Sequence, residues 1–145
     1  MENFEFIPNT KDALVLRTDF ESDENWRAIC DLIRMPVHDV AGDFIACVEF
    51  CDNPAFRDLT LEELLTKVPG GYNHTFFFVV DKCAIQSTEH PILVIDLYDR
   101  RGRTFRAIPS QIQGIENNLS IANMDFYEFA DNVDDDGVFR DFRTP

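Results

Sequence analysis

Two almost continuous apolar runs of strand length constrain the fold of this chain more than any other feature of its sequence. The runs are HTFFFVVD (74–81) and PILVIDLYD (91–99). A strand that is apolar at nearly every position usually lies inside a sheet that is covered on both faces. We therefore expect these two runs to form the centre of a sheet.

Three further segments have strand patterns. ALVLRTDF (13–20) is a run of apolar and β-favouring residues that stops at an acidic, polar cluster, and FIACVEF (44–50) alternates apolar residues on one face with mixed residues on the other. TFRAIP (104–109) follows DRRG (99–102), which has the composition of a turn. We expect TFRAIP to return antiparallel to the run at 91–99.

Three segments have helix patterns, each with a capping residue. Ser22 precedes an apolar stripe that Pro36 ends, and Thr60 with Glu63 forms a capping box before TLEELLTKV is stopped by Pro69-Gly70-Gly71. Asp125 with Glu128 has the same spacing. The apolar positions of this third helix recur at helical intervals, at Phe126, Phe129, Ala130 and Val133.

This order of elements predicts an α/β fold: a single-domain sandwich with a mixed sheet of about five strands and three main helices. The early crossovers should be parallel and right-handed. The predicted domain spans residues 13–142, after a polar amino-terminal arm at 1–12 and before a short tail at 143–145.

The balance of charge excludes some partners. Asp and Glu number 27 against 13 Lys and Arg, which gives a net charge of −14 and repels nucleic acid and anionic membranes. No apolar stretch approaches the length of a membrane span, and the start of the chain lacks the pattern of a secretory signal. The four cysteines form no C-x-x-C motif, and we expect them to be reduced core residues. These features predict a cytoplasmic protein.

Four blocks of the sequence carry a resemblance. LVLRTDF, GRTFR, ENNLSIANMDFYEFA and DGVFR resemble the shared blocks of a family of small acidic, mostly bacterial proteins that is classified as a domain of unknown function. The resemblance extends from about residue 13 to residue 142. It implies a single-domain α/β protein, and it implies neither an activity nor catalytic residues.

Acidic residues follow the predicted strands and form one candidate site. Asp19, Asp52 and Asp81 each come at or just after a strand end. Carboxyl ends of parallel strands meet at one edge, where such carboxylates could hold Mg²⁺ for phosphate chemistry. The alternative is that these aspartates only cap helices and form turns, for which aspartate is common in strand-to-helix connections. Mg²⁺ is expected only if the aspartates form this site; otherwise we predict no cofactor and no metal.

The segment ENNLSIANMDFYEFADNV (116–133) offers a second candidate. Asn117, Asn118 and Asn123 lie in what we interpret as the connection between the last strand and the helix capped by Asp125 and Glu128. Asparagine amides commonly hold such loops by bonding the nearby backbone. The alternative is that they point into a pocket beside the helix start, together with Asp19, Asp81 and Arg106.

Two charged segments remain. DNVDDDG (131–137) resembles the start of a calcium-binding loop, but Arg140 and Arg143 occupy its ninth and twelfth positions, so we interpret it as a solvated acidic turn. The arginines of RRGRTFR (100–106), Arg106 among them, are expected to pair with Asp99, Asp131 or the acidic run at 134–136. Capture of an anionic ligand is the alternative.

Two functional classes follow. The first is an acidic protein-interaction module, such as an inhibitor or immunity-type protein that neutralises a basic partner. The second is a small-ligand-binding or Mg²⁺-dependent enzymatic domain that uses the strand-end aspartates and the asparagine-rich loop. The sequence leaves open whether the protein is an enzyme, which oligomeric state it has and in which order its strands lie.

Overall fold

The two apolar runs form strands, and the other strands and helices are arranged around them. The computed structural model describes residues 5–142. Its strands are β1 (Ala13–Arg17), β2 (Val37–Asp39), β3 (Gly42–Phe44), β4 (Val48–Cys51), β5 (Phe76–Val80), β6 (Ile92–Asp96), β7 (Thr104–Ala107) and β8 (Val138–Phe139). Its α-helices are α1 (Asp23–Arg34), α2 (Leu61–Thr66), α3 (Lys82–Gln86), α4 (Ile112–Ser120) and α5 (Phe126–Ala130), and single 3₁₀ turns occupy Pro54–Phe56 and Pro109–Gln111.

Six strands form one mixed sheet in the order β4-β1-β5-β6-β7-β8. β1 lies parallel to β4 and β5, β6 is antiparallel to both of its neighbours, and β8 is parallel to β7. The predicted α/β class and mixed sheet are therefore confirmed, and β5 and β6 lie at the sheet centre as expected. We call the edge at which β1, β4, β5 and β7 end the carboxyl edge, and the edge at which they begin the amino edge.

Both faces of the sheet are covered, which explains the continuous apolar runs. Phe76, Phe78 and Val80 pack on the side of α1, α4 and α5, whereas Phe77 and Val79 face the cluster that contains Phe56 and Leu64. All five side chains of β5 are buried. Successive side chains of a strand point to opposite faces, so a strand with two covered faces needs apolar residues at every position.

The three predicted helix starts are confirmed, each with its predicted capping residue. The Ser22 hydroxyl accepts the backbone N–H of Asn25 at 3.1 Å, and Thr60 and Glu63 form the expected capping box at the start of α2. At the start of α5 the carboxylate of Glu128 accepts the backbone N–H of Asp125 at 2.8 Å, as in the predicted capping box. These caps satisfy N–H groups that have no partner within their helices.

The prediction of one strand over 44–50 is wrong. Phe44 ends β3, which pairs only with β2 in a separate two-stranded sheet, and residues 45–47 have no regular structure before β4 begins at Val48. The backbone N–H of Cys47 donates to the buried carboxylate of Glu116 at 2.8 Å. This side-chain contact takes up a donor that a continuous strand would direct to a neighbouring strand.

The prediction of a loop is wrong for Asn117 and Asn118, which lie in a helix, and is confirmed for Asn123, which lies in the turn after that helix. Residues 112–120 form α4, in which Ile112, Ile115, Glu116 and Leu119 are buried. These positions have the i, i+3, i+4, i+7 spacing of a helix face, but an acid at one of them and Gly114 weaken the pattern. Packing of the apolar face against the sheet decides the conformation.

The cysteines are only partly core residues. All four carry free thiols, of which Cys30 is buried and Cys51 half-buried, whereas Cys47 and Cys83 are exposed. The prediction of core thiols is therefore wrong for the last two. Burial raises the pKa of the Cys30 thiol to about 11.

Within residues 5–142, no helix is long and apolar enough to cross a membrane.

Candidate functional site

The three strand-end aspartates lie at the carboxyl edge, because β4, β1 and β5 are neighbouring parallel strands. Asp19 is buried, Asp52 is exposed and Asp81 is half-buried. Each of them is bound to another part of the protein, and arginines supply most of these contacts.

Arg17 on β1 is the most buried basic residue of this edge, with a side chain that is 2% exposed. By strand alternation it shares a face with Ala13 and Val15, toward α1. Its Nε donates to the carbonyl oxygen of Asp19 at 2.8 Å, and its two terminal nitrogens donate to Asp23 at 2.9 Å and Asp52 at 3.2 Å.

Aromatic rings complete the surroundings of Arg17. The guanidinium carbon lies 4.4 Å from the ring centre of Phe20 and 5.4 Å from that of Trp26. A guanidinium at such distances from aromatic rings is attracted to their electron-rich faces. The site therefore holds a buried cation through one carbonyl group, two carboxylates and two rings.

Arg106 on β7 reaches across the start of β6 to Asp81 at the end of β5. Its Nη1 and Nη2 donate to the two carboxylate oxygens of Asp81 at 2.9 and 2.7 Å, and Nη1 also donates to the carbonyl oxygen of Pro91 at 3.0 Å. The hydrogen bond to Asp81 raises the pKa of Arg106. Asp81 also caps α3, since it accepts the backbone N–H of Ala84 at 3.2 Å.

Arg140, directly after β8, occupies the acidic turn. It donates to Asp134 at 2.8 Å, to Asp136 at 2.7 Å and to both carboxylate oxygens of Glu89 at 2.8 and 2.9 Å. These hydrogen bonds lower the pKa of Glu89 and of Asp136. The segment 131–137 is an exposed acidic turn, as interpreted, and an arginine also cross-links it. Arg143 lies outside the described residues.

The arginines of the 100–106 hairpin divide between predicted and different partners. Arg103 pairs with Asp131, as expected. Arg106 binds Asp81 instead of an acid of the carboxyl-terminal region, and Arg101 donates to the carbonyl oxygen of Leu65 at 2.9 Å. Arginine-to-carboxylate pairing within the protein is therefore confirmed for Arg103 and Arg106, with a partner for Arg106 that sequence reasoning had not proposed.

At the carboxyl edge, arginines bind carboxylates and compensate part of their negative charge. Three arginines bind six carboxylates there, those of Asp23, Asp52, Asp81, Glu89, Asp134 and Asp136. Among the described residues, no three His, Cys, Asp or Glu side chains are grouped so that they could hold a metal ion.

The asparagines of 116–133 lie at the amino edge, away from Asp19, Asp81 and Arg106. Asn118 on α4 donates to the carbonyl oxygen of Gly114 at 2.8 Å and accepts the side-chain amide of Asn123 at 2.8 Å. The carbonyl oxygen of Asn118 also accepts the backbone N–H of Asn123 at 2.9 Å. Asn117 is exposed. Asn118 and Asn123 therefore stabilise the turn between α4 and α5.

A cavity of about 340 Å³ opens beside this turn, and we call it the amino-edge cavity. Its walls come from the start of β5, from the hairpin after β6 and from the α4–α5 connection, with Thr75, Tyr98, Ala122 and Tyr127 among its lining residues. Asn117, Asn118 and Asn123 are not among them. Two more open hollows share Thr75 with this cavity, so several concave surfaces adjoin at the amino edge.

Asp96, beside the amino-edge cavity, is a buried acid that sequence reasoning missed. It is 2% exposed, and its carboxylate accepts the backbone N–H groups of Tyr98, Asp99 and Arg100 at 2.9, 3.3 and 2.8 Å. These contacts fix the backbone that carries Tyr98 and Asp99. The available signal was an acid at the end of an apolar strand, directly before turn residues.

The segment from residue 32 to residue 45 forms an exposed apolar surface, which we call the hairpin surface. It includes the end of α1 and the β2–β3 hairpin. Its large exposed side chains are Leu32, Met35, Val40, Phe44 and Ile45, and Val40 at the hairpin turn is completely exposed. Asp39 and Asp43 are exposed carboxylates of this segment, and Asp31 is an exposed carboxylate directly before it.

Comparison with known proteins gives a family and no activity. The profile of a family described as a domain of unknown function (DUF6924) matches residues 12–142. No curated protein matches the chain.

Proposed function

Because the chain belongs to the DUF6924 family, whose description assigns no activity, we propose its function from its surface: it is a protein-interaction module that binds a basic partner. The match covers almost the whole chain and includes every element that forms the two sheets. The proposal therefore concerns the family domain itself.

The hairpin surface is the observation that carries this proposal. Five large apolar side chains are exposed within 14 consecutive positions, from Leu32 to Ile45. Contiguous exposed apolar patches with polar rims are typical of protein interfaces. Asp31, Asp39 and Asp43 supply such a rim, so a complementary partner offers an apolar site surrounded by lysines or arginines.

Charge supports a basic partner in two ways. The net charge of −14 attracts a cationic protein over a distance and raises its association rate. In addition, Arg17, Arg106 and Arg140 are bound to carboxylates of the protein itself. Within the hairpin surface, Arg34 lies over the ring of Phe50 and 3.8 Å from Asp31, so this arginine also has partners within the protein.

An inhibitor or immunity-type role is the form of this function that we favour. Such a protein covers the basic active surface of an enzyme such as a nuclease, and it needs a stable acidic surface rather than a catalytic centre. The free thiols of all four cysteines support a reducing location, and we place the protein in the cytoplasm.

A pull-down with matched variants tests the proposal. Tagged wild-type protein is incubated with native lysate, eluted with a salt gradient and analysed by mass spectrometry. We expect a near-stoichiometric basic protein that is released by moderate salt. An apolar variant, Val40→Ser with Phe44→Ser and Ile45→Ser, should lose this protein, because these side chains are exposed and contribute little to the core.

Two charge variants complete the test. Asp31→Asn, Asp39→Asn and Asp43→Asn together should weaken capture, whereas Glu24→Gln, Glu62→Gln and Asp141→Asn together make the same change of charge elsewhere and should largely preserve it. Circular dichroism confirms that each variant is folded. Unchanged capture by the folded hairpin variants would refute the assignment of this surface.

A further inference from the structure

The amino-edge cavity has an apolar floor of buried side chains. Phe76 of β5, Leu119 of α4 and Phe126 of α5 line the cavity and are 1%, 9% and 5% exposed. The ring of Phe126 packs edge to face on Phe105 with 5.0 Å between the ring centres. The volume of about 340 Å³ lies near the lower end of the range of small-ligand sites.

Tyrosine rings form the rim of the cavity. Tyr98 is 81% exposed and Tyr127 is 46% exposed, so both rings are accessible to a molecule that enters. The backbone of Tyr98 is fixed by the hydrogen bond of its N–H group to Asp96, and Tyr127 lies in the first turn of α5. Both tyrosines are therefore presented by ordered backbone.

The lining carries negative charge and no basic residue. Asp99 and Asp125 are exposed carboxylates of the lining, and Asp96 lies beneath them with its oxygens bound to backbone N–H groups. Of the nearby arginines, Arg103 pairs with Asp131 and Arg101 donates to Leu65, while Arg100, beside Asp99, is exposed and does not line the cavity. An anionic ligand would be repelled by this lining, whereas a cation would be attracted.

We propose that the amino-edge cavity binds a small organic cation of the alkylated ammonium class. Aromatic rings attract such cations through their electron-rich faces, and methylated ammonium groups are weakly hydrated and fit apolar surroundings. The carboxylates of Asp99 and Asp125 compensate the charge, and the apolar floor receives the alkyl groups. This site lies apart from the hairpin surface, and the proposal does not depend on a protein partner.

The test uses choline as the probe and 3,3-dimethyl-1-butanol as its uncharged analogue of the same shape. Titration of the full chain, followed by two-dimensional NMR, should give saturable choline shifts at Tyr98, Asp99 and residues 125–127. We expect the affinity for choline to exceed that for the neutral analogue by about tenfold, because only the cation gains from the rings and carboxylates.

Three variants and a control locate the site. Asp99→Asn and Asp125→Asn should each weaken choline binding by about threefold to tenfold, and asparagine at position 125 keeps a capping side chain. Tyr127→Leu removes a ring from the rim and should weaken binding similarly. Glu62→Gln makes the same charge change on α2 and should leave the affinity unchanged.

Several outcomes would overturn the proposal. Equal binding of choline and its neutral analogue would mean that the cavity is only an apolar hollow. Choline shifts that map away from the cavity, or equal losses of affinity in Asp99→Asn and Glu62→Gln, would indicate general attraction to an acidic protein. The absence of saturable shifts at millimolar choline would exclude this class of ligand.

Discussion

The two edges of the six-stranded sheet carry carboxylates in different settings. At the carboxyl edge, Asp52 and Asp81 follow parallel strands and are bound by Arg17 and Arg106. At the amino edge, Asp99 and Asp125 line a cavity whose lining contains no basic residue. The carboxylates of the first edge are bound by arginines of the protein, whereas no arginine or lysine lines the cavity at the second edge.

This difference shows that the position of an acid in a strand does not decide its role. Carboxyl ends of parallel strands commonly form ligand crevices. Here Arg17 and Arg106 project from the strands themselves and fill that place with guanidinium groups. A cavity without basic residues in its lining lies at the opposite edge, beside the α4–α5 connection.

The largest expected effect is that of Arg17→Met at the carboxyl edge. The variant loses three hydrogen bonds and the contacts of the guanidinium with Phe20 and Trp26, so the free energy of unfolding should fall by about 3 kcal/mol. Urea unfolding measures this difference. Arg27→Met, at an exposed position of α1, should change stability by less than about 0.5 kcal/mol. Equal losses would contradict a stabilising role for Arg17.

The Arg106–Asp81 pair should show the next largest effect. A double-mutant cycle with Arg106→Met and Asp81→Asn should give a coupling energy of about 1 to 2 kcal/mol, because the pair is bidentate and about three-quarters buried. The Arg103–Asp131 pair, whose aspartate side chain is 58% exposed, is the control and should couple more weakly. The opposite order would show that burial does not set the strength of these pairs.

At the amino edge, Asn118→Ala should lower stability by about 1 kcal/mol. The substitution removes the side-chain bonds to Gly114 and Asn123 that hold the α4–α5 turn. Asn117→Ala, one position earlier and exposed, should change thermal stability little. If Asn118→Ala is equally neutral, the amides do not stabilise the wall of the cavity.

The smallest expected effect is that of Arg140→Met on the loss of stability at low pH. The pKa values of Glu89 and Asp136 lie below the ordinary values of 4.5 and 3.8 because Arg140 donates hydrogen bonds to them. As pH falls, Glu89 and Asp136 therefore become protonated in the unfolded chain before they do so in the folded protein. Their contribution to stability is complete above the ordinary pKa values and is lost as pH falls through the lower pKa values of the folded state. The melting temperature of Arg140→Met should fall less steeply below about pH 4.5 than that of wild type. Parallel curves would contradict this linkage.

Local patterns made much of the fold predictable. The apolar runs identified β5 and β6 as central strands, and the caps at Ser22, Thr60 and Asp125 marked three helix starts. Such signals depend on residues within about four positions of each other. The helix α4 was not predicted, since its asparagines and Gly114 favour a loop until its apolar face is packed on the sheet.

The candidate sites were less predictable. Asp81 and Arg106 were both identified from the sequence, but their direct pairing was not, and Asn118 proved to bond to its own turn. The amino-edge cavity had no local signal, because its lining comes from the start of β5, the hairpin after β6 and the α4–α5 connection. A cavity between segments exists only after those segments have been positioned.

The sequence by itself determined the α/β class, the sheet centre, the helix caps and the negative charge of this protein. Only the tertiary structure decided which acids are bound by arginines and which line a cavity without basic residues. The partners of Arg106, Arg17 and Arg140 lie up to 25, 35 and 51 positions away in the chain. The order and direction of the strands bring these charges within hydrogen-bonding distance, and no periodicity within one segment encodes that order.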